Sequence, residues 1–239
     1  MWDEVEAINL VSETTTIPIP KILRAFEHGA DGYMVMDYVG GALLHVWRAL
    51  RKEDQSSVAE TLRGYIDQLR AIPLQDFPGP VSNNLKPKRC HCPQFRDKMR
   101  GPFDYSLFEE FLNEMEGICY VELPPASERQ LFDGSSGYAF THNNIGLRNI
   151  FADDGKIYLS NWADAGFYPM WFDAVGMEMI AEETRAPRSW SDRIPNIAGD
   201  FAGKKDWLDR MGYQLMLHRT KTEAKIRKLQ SSSCGFGMR

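Results

Sequence analysis

Apolar residues recur at helical spacing in two long stretches of the chain. Val58, Leu62, Ile66, Leu69 and Ile72 form one stripe of a helix over 58–72. Leu107, Phe108, Phe111, Leu112, Met115 and Ile118 form another over 105–119, with Asp104 placed to cap its first turn. Further helices are expected over 4–13, 172–183 and 204–218. Elsewhere the pattern is that of strands. "KILRAFEHGADGYMVMDYV" predicts two strands around the turn "HGADG", ended by Gly40-Gly41. "RNIFADDGKIYLSNW" predicts a second hairpin, because Asp154-Gly155 stands between two alternating apolar runs. Pro18 and Pro20 stop the first helix and favour extended chain. "PGPVSNNLKPKRCHCPQFRDKMRGPF", rich in proline and basic residues, predicts a long irregular loop.

Composition adds bounds to this picture. With 239 residues, 43% of them hydrophobic, the chain can bury a substantial core as one domain or as two packed lobes. A formal charge of -5 argues against a general nucleic-acid binder, which carries a basic face. The first residues, "MWDEVEAINLV", are acidic where a secretory signal is basic, and no apolar run reaches membrane-spanning length. Four cysteines make no disulfide framework in a chain of this size, so the expected setting is reducing and cytoplasmic, away from membranes. The tail "KTEAKIRKLQSSSCGFGMR" is expected to fray.

Candidate chemistry gathers at the second hairpin. Asn144, Asn149 and Asn161 either converge on one pocket at its base or serve as turn formers on a surface hairpin. His142 is the only histidine nearby, a proton shuttle or a structural group. Asp164 is the carboxylate that follows Trp162, and Arg148 is either an anion contact or a solvated loop residue. Cys90, His91 and Cys92 are spaced too tightly for a tetrahedral zinc site, so no metal is expected there. Phe167, Tyr168, Trp171 and Phe172 read as core packing, or else as the wall of an apolar pocket.

The motifs that stand in order along the chain resemble those of the aminoglycoside phosphotransferase and choline kinase-like family, with a likeness to members from filamentous fungi. The family's His-Gly-Asp-Leu stretch corresponds here to His142-Asn143-Asn144-Ile145, its following Asn-Ile to Asn149-Ile150, and its Ile-Asp-Trp-Glu to Ser160-Asn161-Trp162-Ala163. Ala165-Gly166 with Pro169 matches a further element, and "GYMVMDYVGGALLHVW" resembles a strand, a hinge and the first helix of the large lobe. The resemblance covers most of residues 4–185. It implies an α+β, kinase-like fold: a mainly helical C-terminal lobe over 41–220, a truncated β-hairpin remnant of the N-terminal lobe over 1–40, and a flexible tail over 221–239.

Carried over residue by residue, the resemblance also implies losses. Phosphoryl transfer in such a fold uses an aspartate to orient or deprotonate the attacking hydroxyl, and an asparagine and a second aspartate to hold magnesium. Here the first aspartate's position is Asn144 and the second's is Asn161, leaving Asn149 as the matching metal ligand. Glu4 stands where the family has a tethering glutamate, so the glycine loop and lysine that normally precede it are not expected in this chain. An amide titrates nowhere near neutral pH and cannot act as a general base. The expectation is therefore a degenerate kinase-like protein that binds a small organic molecule or a partner protein, without nucleic acid, membrane or cofactor. Its cleft is expected to be lined by Tyr38, Val39, Gly40, Gly41, Arg148, Asn149, Asn161 and Trp162. Any catalysis there would fall to His142, Asn144 and Asp164, in a metal-independent isomerisation, cyclisation or elimination. The alternative is an ATP- and magnesium-dependent small-molecule O-phosphotransferase.

Overall fold

The computed structural model describes residues 1–90, 101–119 and 136–209. Helix α1 (Trp2–Thr14) buries Ala7, Ile8 and Val11, and the extended run through Pro18 and Pro20 follows it. Strands β1 (Ile22–His28) and β2 (Asp31–Met36) pair antiparallel with Phe26 opposite Tyr33. The link between them is shorter than the sequence suggests, and Gly29 takes it at a left-handed φ of 64°.

The chain next crosses the second hairpin. Strand β3 (Ala42–Leu43) runs antiparallel to β5 (Ile150–Asp153), which in turn pairs with β6 (Lys156–Leu159). Gly41 permits the crossing, since a Cβ there would lie 2.1 Å from the Ala152 carbonyl oxygen. The turn between β5 and β6 is Asp154-Gly155, with φ of 45° and 71°. Two consecutive left-handed residues suit a tight hairpin, and Asp-Gly supplies them.

Helix α2 (Lys52–Arg70) buries Val58, Leu62, Ile66 and Leu69, the stripe read from the sequence. It starts ahead of that stripe, with Glu53 and Asp54 in its first turn, where carboxylates favour the positive end of the helix dipole. Helix α3 (Tyr105–Cys119) is capped as its sequence predicts: the Leu107 amide donates to Asp104 Oδ1 at 2.8 Å. Asp104→Ala is accordingly expected to lower stability by about 1 kcal/mol, read as a shift in the urea midpoint at constant slope.

Strands β4 (Tyr138–Thr141) and β7 (Gly166–Pro169) pair antiparallel and bracket the loop and hairpin between them. Helix α4 (Phe172–Glu183) has the predicted span and is followed by the short helices α5 (Arg188–Ser191) and α6 (Ile194–Ala198). Residues 204–209 are helical, and the rest of the helix expected over 204–218 lies outside the described residues, as do His91, Cys92 and the tail.

One apolar cluster joins α1, α2, the β5–β6 hairpin and α4, including Ile8, Leu62, Ile150, Trp162 and Met177. A second, largely aromatic cluster joins Phe108 and Phe111 of α3 to Tyr168, Trp171, Phe172 and Trp207. Tyr168 and Phe172 stack with centroids 5.6 Å apart and planes 7° apart. All four aromatics after the hairpin, Phe167, Tyr168, Trp171 and Phe172, are buried. They are core residues, as the first of their two readings holds. Cys90 sits in this cluster, and burial pushes its thiol up to about 12, so it is an inert neutral group. Among the described residues, no helix is long and apolar enough to cross a membrane.

Candidate functional site

The loop from His142 to Asn149 leaves β4 and enters β5, and buried hydrogen bonds hold it at both ends. At its start, Asp173 in the first turn of α4 accepts two backbone bonds through Oδ1, from the His142 and Asn143 amides, both at 2.9 Å. Asn143 adopts a left-handed φ of 63°, which asparagine tolerates better than most residues. Its side-chain amide donates to the Asp164 carbonyl at 2.9 Å, tying this loop to the chain beyond β6.

His142 is enclosed by this arrangement. Its Nδ1 accepts from the Asn144 amide at 3.2 Å, and its ring lies 4.3 Å from the Trp162 ring. Burial pushes it down to about 4, outweighing opposing contributions from the His142 and Ser160 backbone, and Nε2 meets no acceptor in good geometry. A neutral ring sealed from solvent holds the loop's shape.

Asn144 and Asn149 are joined, and Asp164 joins them. Asn149 Nδ2 donates to the Asn144 carbonyl at 2.8 Å and to Asn144 Oδ1 at 2.9 Å. Asn144 Nδ2 donates to Asp164 Oδ2 at 3.1 Å. A carboxylate only accepts, so the amide nitrogen of Asn144 must face Asp164 and its oxygen must face Asn149. The orientation of both amides is thus fixed by chemistry.

Glu4 of α1 reaches the same neighbourhood, where its Oε1 accepts from the Trp162 amide at 3.2 Å. Burial raises the Glu4 carboxyl, the Trp162 bond opposes that rise, and the nearby Asp164 charge adds to it.

Other expected cleft residues stand apart. Tyr38 is 92% exposed, with its ring beside Gly40. The Trp162 indole is in the core at 1% exposure, so only its backbone faces Glu4. Arg148 is exposed and takes no part in the bonded group. Asn161 is exposed at a φ of 64°, so its amide does not join Asn144 and Asn149. The turn-former reading fits Asn161, and the converging reading fits the other two. Val39 is half-buried, and Gly40 and Gly41 run beside Asp153 and Ala152 of β5.

Asp173 is the residue that the sequence pattern did not bring forward. It is 1% exposed, its carboxyl is raised to about 6 by burial, and the Asn143 amide, Arg70 and the His142 amide oppose that rise. Arg70 comes from the end of α2 and donates to the Met170 and Ala198 carbonyls. The available signal was one carboxylate in the first turn of the otherwise apolar run "FDAVGM".

The donor set does not fit magnesium. That ion favours hard anionic oxygens in octahedral array. Asp164 Oδ2 already accepts from Asn144, the neighbouring Glu4 carboxylate accepts from the Trp162 amide, and the remaining members are neutral amides. Among the described residues, no group of three or more His, Cys, Asp or Glu side chains is placed to hold a metal.

No protein-family profile and no curated protein matches the sequence. Solved structures do match. A thermostable mutant of aminoglycoside phosphotransferase APH(4)-Ia, in apo form, is similar at 14% identity and a TM-score of 0.53, covering 100% of this chain and 86% of that one. Aminoglycoside-3'-phosphotransferase of type VIII is similar at 16% identity and a TM-score of 0.51, covering 89% and 79%. A protein of Haemophilus somnus 129PT assigned as a fructosamine-3-kinase is similar at 14% identity and a TM-score of 0.51, covering 96% and 77%. At such identities the likeness shows the fold: this chain has a kinase-like, α+β fold.

Proposed function

We propose that this protein is a degenerate member of the kinase-like fold that binds a small organic molecule around Asn144, Asn149 and Asp164, and does not transfer phosphoryl groups. One observation carries the reading. The residue that the family resemblance sets at the proton-accepting position, Asn144, presents its NH2 to a carboxylate and its oxygen to Asn149. Hydroxyl activation there requires an acceptor with a titratable oxygen, and an oriented amide has none.

Such an amide suits a different task. Asn144 retains one amide hydrogen and one oxygen lone pair beyond the bonds it makes, a paired donor and acceptor for a ligand carbonyl or hydroxyl. Held in place by its neighbours, it orients a reactive conformer without reorganising, which serves isomerisation, cyclisation or elimination without a metal. Asp164 is the carboxylate bonded to Asn144, and His142 supports the loop behind it.

A thermal-shift screen of neutral metabolites bearing carbonyl or hydroxyl groups tests this. A saturable stabilisation is expected for at least one of them, weakened about tenfold or more by Asn144→Ala. ATP with magnesium is expected to give none. Magnesium-dependent, saturable stabilisation by ATP, with no response to the metabolites, would favour the alternative of an ATP-dependent O-phosphotransferase.

A further inference from the structure

A cavity of about 400 Å³ opens where the C-terminal turns of α4 meet α5, α6 and the helical residues 204–209. It lies at the opposite end of α4 from Asp173, whose carboxylate holds the start of the asparagine loop. Its volume is in the range of small-molecule sites. Counted in liquid water at ~30 Å³ each, it equals roughly a dozen waters, the bulk of an organic molecule with about that many heavy atoms.

The lining is chemically divided. Ala181 and Ile194, buried at 5% and 1%, lend apolar surface to its base. Glu178 and Glu182 bring carboxylates to the lining. Lys205 also lines the cavity, but its charge is already shared: Nζ lies 2.9 Å from Glu182 Oε2 and 2.6 Å from Asp209 Oδ2. Glu178 is half-buried, and the charges around it other than Lys205 are the carboxylates of Glu182, Asp206 and Asp200. Lys205 is the positive charge that acts on Glu178, yet Glu178 itself forms no ion pair among the described residues.

Arg185, Arg188 and Ser191 also line the cavity. Arg188 faces Asp192 at 3.6 Å, whereas Arg185 is exposed and forms no ion pair among the described residues. Its backbone is the more telling feature. α4 ends with the Ala186 amide donating to the Ala181 carbonyl at 2.8 Å, and Arg185 occupies the left-handed position before it at a φ of 52°. Helices that end in this way usually place glycine there, because a side chain is strained in that conformation. An arginine at this position sets a guanidinium on the cavity rim at a cost in stability.

We propose that this cavity is a second ligand site, for a zwitterion of dipeptide size whose ammonium group meets Glu178 and whose carboxylate meets Arg185. Guanidinium and carboxylate match as a two-bond pair, and Glu178, which forms no ion pair among the described residues, takes the cation. Ala181 and Ile194 in the lining suit a short aliphatic side chain.

Titration calorimetry on the 239-residue chain with glycyl-leucine is the test, alongside its N-acetylated and its C-amidated forms. Glycyl-leucine is expected to bind saturably below ~10 mM, and capping either end weakens it about tenfold or more. Glu178→Gln is expected to weaken it similarly. Arg185→Gly separates binding from folding: glycine relieves the left-handed strain, so this variant is expected to melt at or above the wild-type temperature and still lose the ligand. No saturable heat for glycyl-leucine, equal binding of the capped forms, or wild-type affinity in Arg185→Gly would each overturn the proposal.

Discussion

Asp173→Ala is expected to cost about 3–5 kcal/mol, measured by urea unfolding at pH 7, because it leaves two buried amides without an acceptor and vacates space in the core. Those amides are His142 and Asn143, so the loss falls on the loop that carries Asn144. Asp173→Asn keeps an oxygen in place and is expected to lose less. The pH dependence gives a sharper signature. His142 is pushed from 6.5 to about 4 by burial, so between those values the unfolded chain binds more protons and stability rises with pH. Asp173 is pushed from 3.8 to about 6, so over nearly the same window the folded chain binds more protons and stability falls with pH. Each contribution is about 3 kcal/mol, and their signs oppose, so this pair leaves the wild type nearly flat from about pH 4 to 6. His142→Asn preserves an acceptor for the Asn144 amide and removes the histidine titration. It is expected to unmask stability that falls by about 3 kcal/mol as pH rises through that window, and Asp173→Asn is expected to unmask a rise. Parallel profiles for all three proteins would show that these two groups do not titrate as described.

Asn144→Asp, the substitution that restores the family's aspartate, is expected to harm the fold. The new carboxylate would face Asp164 at the 3.1 Å now spanned by a hydrogen bond. Two carboxylates that close cannot both ionise without strong repulsion, so the expected loss at pH 7 is about 2–4 kcal/mol. Like charge raises the pair's folded-state pKa, so the penalty is present at neutral pH and relieved as pH falls and the pair takes up a proton. Donation from Asn149 Nδ2 to the new carboxylate offsets part of the loss. The double variant Asn144→Asp with Asp164→Asn exchanges acceptor and donor across the same contact. It is expected to recover to within about 1 kcal/mol of wild type, a coupling that distant sites would not show. Additive losses in the double variant would mean that the Asn144–Asp164 contact carries no energy.

The Asp154-Gly155 hairpin, the α2 stripe and the Asp104 cap were legible in the sequence because each is decided by residues within a few positions of one another. The kinase-like architecture was legible through motif order, a global pattern that survives where single residues change. The wiring of the site was not. Asp164 meets Asn144 across 20 residues, Asp173 meets His142 across 31, and Glu4 meets Trp162 across 158. Such contacts follow from how β4 pairs with β7 and where α4 docks, which no local pattern states. Asparagine itself was ambiguous for a physical reason: Asn143 and Asn161 answer to backbone conformation, at φ of 63° and 64°, and Asn144 and Asn149 answer to side-chain bonding. The exposure of Tyr38 and the burial of the Trp162 indole were not legible either, because resemblance locates a stretch of backbone, and side-chain direction depends on packing.

The central claim is most directly tested by following ATP with magnesium by phosphorus NMR, in the presence of the purified chain and a panel of hydroxyl-bearing small molecules. The account predicts spectra that match the protein-free control throughout, with no new phosphoester signal. A phosphoester that grows in proportion to protein, vanishes with a chelator and is lost in Asn144→Ala would contradict it.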